Sequence, residues 1–185
     1  RHDVLMQAGG LLHSPKKEIR KETCWMVSNL TAGSVEQVHA VCRSGLFPRL
    51  IQLMATEEYE IRKEAAYAIC NACLGGDPTT ISALVQMAML PPLCALLDLP
   101  DARLVLTVIE TLEAILQAGA SAIPAGINPC VRLMEEAGGC AYIEELQTHE
   151  NEEIYHKAAS LLEKYFGAED EEEDAKVLPG QGAEG

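Results

Sequence analysis

The sequence predicts an all-α solenoid, a row of stacked helical repeats ending in an acidic tail. Three observations point there. The stretch Ile19–Gly33 recurs as Ile61–Gly75 at a constant offset of 42 residues, pairing Glu22 with Glu64, Trp25 with Tyr67 and Asn29 with Asn71. The apolar residues keep a helical period: at about 100° per residue, Ile19, Thr23, Met26, Val27 and Leu30 share one stripe. Gly and Pro gather where helices must end, at Gly33, Gly45, Pro48, Gly75, Gly76, Pro91 and Pro92.

In chain order, residues 1–15 read as the remnant of a truncated repeat. Asp3–Ala8 suits a short first helix and Leu11–Leu12 the stub of a second. From Gly9 to Glu22 there are 13 positions, against 19 from Gly45 to Glu64, so about one and a half turns are missing there. Ser14-Pro15 then opens a long helix over 16–32, with Ser14 as N-cap and Pro15 in the first turn. The next repeat is predicted at 35–44, 46–55 and 58–74. Another follows at 79–88, 91–98 and 101–118, with Asp77-Pro78 and Leu99-Pro100-Asp101 as breakers. The last spans 127–138, 140–147 and 151–166. A period near 40 residues marks armadillo or HEAT-type repeats. From 167 to 185 the character changes. Glu169, Asp170, Glu171, Glu172, Glu173 and Asp174 precede a Gly- and Pro-bearing end. Such a segment cannot offset its ordering entropy by burial, so disorder is expected.

Composition narrows the function. Of the 185 residues 48% are apolar and only 4% aromatic, so Ala, Leu, Ile and Val must fill the core repeat by repeat. A net charge of −14 argues against nucleic acid or an anionic membrane as partner and for cationic ligands. Seven cysteines, an odd number mostly on apolar faces, suit reduced thiols rather than a disulfide framework. Cys70-x-x-Cys73 lacks a second Cys/His pair at ligand spacing, and the histidines form no nucleophile–base set. No enzyme, metal or cofactor is predicted. The chain begins at Arg1 without Met and reads as a fragment or processed chain.

The repeated stretch carries the candidate site. Glu22, Trp25 and Asn29 stand at i, i+3 and i+7, on a narrow stripe beside the core stripe, and recur as Glu64, Tyr67 and Asn71. Neighbouring third helices packed about 8–10 Å apart match roughly three residues of extended peptide. An Asn side chain donates and accepts together, so it can clamp a peptide backbone without reading sequence. Trp25 offers a flat face to a Lys or Arg stem, worth about 0.5–2 kcal/mol. Glu22 and Glu64 add complementary charge, and Ser28 flanks the row. Continuing the alignment puts Glu110 and Ala114, then Ser160 and Lys164, at the aromatic and Asn positions, so the row ends after two rungs.

These two stretches, the spacer Thr31–Val38, the segment Leu146–Ala158 and Leu161–Gly167 with the acids after it together resemble the importin-alpha family. The resemblance covers about residues 16–175 and matches the family's C-terminal armadillo repeats, here 16–166. It implies a right-handed superhelical armadillo solenoid that shuttles between cytoplasm and nucleus. The implied ligands are nuclear localisation signals of cargo proteins, held at a minor site by Glu22, Trp25, Ser28, Asn29, Glu64, Tyr67 and Asn71. Tyr67 replaces the family's usual Trp, which weakens stacking at the second rung. The resemblance also implies docking of an export receptor and a nucleoporin on the last repeat, through Glu144, Tyr155, Tyr165 and the acids 169–174. Importin-beta would be reached only through a segment absent from this chain. The competing expectation is an armadillo scaffold that binds a folded partner on its outer surface.

Overall fold

The computed structural model describes residues 2–123 and 126–167. The expected acidic tail, with Glu169–Asp174, lies outside the described residues. Eleven α-helices and no strand occur among the described residues. They are α1 (His2–Leu11), α2 (Lys17–Thr31), α3 (Val35–Arg43), α4 (Phe47–Thr56), α5 (Tyr59–Gly75), α6 (Pro78–Gln86), α7 (Leu90–Cys94), α8 (Ala102–Ala122), α9 (Pro129–Glu136), α10 (Gly139–Glu145) and α11 (Glu152–Phe166). A 3-10 turn, Leu146–Thr148, links the last two.

Local chemistry sets the starts of the long helices. Asp101 caps α8 by accepting from the Leu104 N–H at 3.1 Å. Asp77 does the same for α6 from Thr80 at 2.8 Å, and Asn151 for α11 from Glu153 at 2.9 Å. The expected Ser14 cap is corrected. Helix α2 starts later, with Lys16 at the cap position and no side-chain cap. The Ser14 hydroxyl instead accepts from the Lys16 N–H at 3.2 Å, and Pro15 lies in the turn ahead of the helix. The N-terminal remnant differs too: one continuous helix, α1, runs through Gly9 and Gly10 and takes in Leu11, where two pieces were expected.

The third helices of successive repeats, α2, α5, α8 and α11, pack side by side as one row. Behind them α4, α7 and α10 form a second row, and each first helix (α3, α6, α9) packs against the third helix of the preceding repeat (α2, α5, α8). Phe47, Leu50, Leu53, Ile69, Leu93, Leu104 and Leu112 are fully or almost fully buried between the rows. The two-helix corner preceding each second helix needs a left-handed residue. Gly45 (φ 73°) and Gly138 (φ 74°) supply it in two repeats, while Ala88 (φ 58°) does so in the middle one.

Candidate peptide-binding groove

The row of third helices places the repeated stripe on one surface. Trp25 is 54% exposed on α2, while its neighbours Cys24 and Val27 are buried beneath it. An exposed indole over a packed core is available for contact rather than needed for burial. On α5, Glu64, Tyr67 and Asn71 are half-buried against the core positions Ala65, Ala66, Ala68 and Ile69.

An open cleft of about 430 Å³ joins α2, α5 and α8, lined by Trp25, Ser28, Lys63, Glu64, Tyr67, Asn71, Arg103 and Thr107. It brings together five of the predicted residues: Trp25, Ser28, Glu64, Tyr67 and Asn71. Glu22 and Asn29 stand outside it. Glu22 is exposed beside Lys21 at 3.6 Å, and the Asn29 amide donates to the Trp25 carbonyl at 3.0 Å. Ser28 acts through its backbone. Its hydroxyl is used locally, donating to the Trp25 carbonyl at 2.8 Å. Its carbonyl accepts from Asn71 Nδ2 at 3.1 Å, tying α5 to α2. That bond orients the Asn71 side chain and leaves its Oδ1 and second N–H for another partner.

Lys63, Arg103 and Thr107 were not part of the predicted row. Lys63 Nζ donates to Asp101 Oδ2 at 2.8 Å, and the Tyr59 hydroxyl donates to the same oxygen at 2.6 Å. These bonds, Lys63 first, hold the Asp101 carboxyl well below the usual carboxylate range and raise Lys63 in turn. Burial raises the Glu64 carboxyl, against the lowering pull of Lys63 and Lys21. Burial also raises the Tyr67 phenol. The cleft thus presents two aromatic faces, one carboxylate and one oriented amide. Arg103 and Thr107 have a signal in the sequence: 103, 107, 110 and 114 fall at i, i+4, i+7 and i+11 of α8, the register of the row itself.

Beyond the second rung, ion pairs stand where the aromatic and amide groups stood. Lys157 Nζ pairs with Glu110 at 3.0 Å and Lys164 Nζ with Glu113 at 3.2 Å, joining α11 to α8. Of the residues expected to dock a C-terminal partner, Glu144, Tyr155 and Tyr165 are among the described residues. Glu144 is exposed on α10. Tyr155 is exposed near the start of α11 with its ring 4.9 Å from His156. Tyr165 lies ten residues on, about 15 Å along the axis, under Lys164 Nζ at 4.9 Å. Cys70 and Cys73 are buried in the core. Burial pushes the Cys70 thiol up to about 12 and Cys73 well above its ordinary value, so both pack as neutral thiols.

Comparison with known proteins agrees with the fold. Residues 34–74 match the armadillo/beta-catenin-like repeat and 128–180 the atypical Arm repeat. A designed armadillo repeat protein solved in complex with the peptide (KR)4 superposes with a TM-score of 0.72 at 29% identity, covering 87% of this chain and 64% of that one. The fold and the row on it define an armadillo-repeat solenoid. Importin subunit alpha-4 of Arabidopsis thaliana is 42% identical over 167 residues, 88% of this chain and 31% of the relative. Importin subunit alpha-1a of Oryza sativa subsp. japonica is 44% identical over 167 residues, 89% of this chain and 31% of the relative. The chain belongs to the importin-alpha family and carries armadillo repeats of that family. It spans about a third of the length of these relatives.

Proposed function

We propose that this chain is the part of a nuclear-import adaptor that binds basic localisation signals in the cleft across α2 and α5, without catalysis. The observation that carries this reading is the cleft itself: an exposed Trp25, a half-buried Tyr67, Glu64 and an oriented Asn71 face one open channel. A Lys or Arg stem lies against the indole, its charge near Glu64, while Asn71 Oδ1 and its second N–H meet the peptide backbone. The relatives' names as importin alpha subunits supply the setting of import, and on this reading the adaptor carries cargo proteins between cytoplasm and nucleus. The designed relative's (KR)4 ligand has the chemistry this cleft suits. We also propose that the last repeat, with Glu144 and Tyr155 exposed, docks an export receptor or nucleoporin.

The test of the groove is titration of labelled (KR)4 peptide at low and high salt, with Trp25→Ala as comparison. Wild type should bind with salt-sensitive affinity. Trp25→Ala should weaken binding about 2- to 30-fold, the worth of one cation–π contact. Its stability should stay within about 0.5 kcal/mol, because the ring is exposed. Equal affinities for both proteins would refute the groove reading.

A further inference from the structure

The stripe through each third helix continues one turn before the carboxylate rung. The residue there is Glu18 on α2, Glu60 on α5, Arg103 on α8 and Glu153 on α11. Arg103 is the one cation in an acidic series, and it lines the cleft beside Tyr67. Its surroundings differ from those of every other cation on this row. Lys17 pairs with Glu58, Arg20 with Glu57, Lys21 with Glu22, Lys63 with Asp101, Lys157 with Glu110 and Lys164 with Glu113. Arg62 donates to the Met54 carbonyl. Among the described residues no carboxylate or carbonyl accepts from the Arg103 guanidinium, and Asp101, two residues before it in the chain, is already taken by Lys63 and Tyr59.

We infer that Arg103 is a specificity residue that takes an acidic side chain of the bound peptide. The preferred ligand is then a composite: a basic core on Trp25 and Tyr67, and an Asp or Glu further along. This inference rests on the groove reading above. The step from α5 to α8, about 8–10 Å, spans roughly three extended residues, so the acid falls about two to four residues from the cation that stacks on the aromatics. A guanidinium is the suited partner, because its planar fork meets a carboxylate with two parallel hydrogen bonds. An unrelieved Arg103 also repels a peptide that stays basic throughout, which adds discrimination of the opposite sign.

The experiment uses the whole chain and fluorescent peptides that share a Lys-Arg core within Ala flanks. One series carries a single Asp moved through both flanks. Wild type should bind the best Asp peptide about two- to fivefold more tightly than the all-Ala peptide at low salt, the range of an exposed ion pair. Arg103→Ala should erase that preference while keeping the all-Ala peptide bound, and Arg103→Glu should reverse it. Because Arg103 is exposed, both variants should keep the wild-type melting profile. Binding of both peptides with no preference, or with one that survives Arg103→Ala, overturns this inference alone. Binding of neither peptide removes the groove reading and this inference together.

Discussion

Asp101 is where the solenoid's stability and the shape of its cleft meet. Its Oδ1 caps α8 through Leu104. Its Oδ2 accepts from both Lys63 and Tyr59 of the preceding repeat. Asp101→Ala removes all three bonds. Loss of the cap costs about 1 kcal/mol. Each bond from the partly exposed Lys63 and Tyr59 adds about 1 kcal/mol. The sum, about 3 kcal/mol, lowers the thermal midpoint by about 6–12 °C for a domain of this size. Asp101→Asn keeps the cap through its single amide oxygen but turns N–H donors toward Lys63 and Tyr59 in place of Oδ2, and should lose about two-thirds as much. Because the folded-state carboxyl is held below its ordinary value, its contribution is complete above the unfolded value of about 3.9. It is lost as pH falls below that value toward the folded one. Circular-dichroism melts at pH 7 should therefore separate wild type from Asp101→Ala widely, and the gap should narrow by about pH 2. A gap under about 0.5 kcal/mol at neutral pH, or one that stays constant into acid, would refute the reasoning.

Two further predictions concern the frame. Ala88→Gly should stabilise the chain by about 0.5–1 kcal/mol: Ala88 sits at φ 58° where its counterparts are glycines, and the strain relieved, about 1–2 kcal/mol, exceeds glycine's entropic cost. Urea unfolding checks it, and a destabilised variant would contradict the corner geometry. Burial pushes the thiols of Cys24, Cys70 and Cys94 up to about 12 and Cys73 well above its ordinary value. A disulfide reagent at about pH 8 should leave these four unmodified in the native chain and label them on unfolding. Rapid native labelling of Cys70 or Cys73, read by mass spectrometry of tryptic peptides, would contradict their placement in the core.

Much of the frame was legible because each repeat signals its own boundaries locally. Asp77-Pro78 and Pro100-Asp101 announce helix starts that depend on residues three or four positions away, and α6 and α8 begin there. Ser14 carried the same kind of signal and misled, because its hydroxyl is spent on Lys16 in the preceding turn. The aromatic and Asn rungs were legible from their recurrence, which burial alone does not require. What was not legible depends on neighbouring repeats. Asn71 reaches the carbonyl of Ser28, 43 residues away. Lys63 reaches Asp101, 38 residues away. Periodicity within one helix cannot show which side chain bridges to the next, so Ser28 read as a flanking side chain when its carbonyl is what matters. Lys63 went unweighed for the same reason.

The end of the row after two rungs has a physical cause in those same inter-repeat contacts. At the first two rungs the stripe carries groups that leave bonding capacity unused: an exposed indole, and amides with one N–H spent and an oxygen to spare. At the third rung the aromatic is replaced by Glu110, which is bound to Lys157, and three residues on Glu113 is bound to Lys164. Those ion pairs set Glu110 and Glu113 of α8 against Lys157 and Lys164 of α11, so a peptide entering there would have to displace bonds rather than make them. A partly exposed pair contributes little stability alone, but two of them along one helix pair fix its register. On the proposed groove reading, the exchange of a peptide-binding rung for a repeat-fixing one sets where a ligand stops. It also leaves Arg103, at the near edge of α8, as a cation without a carboxylate partner among the described residues, placed where a bound peptide would meet it.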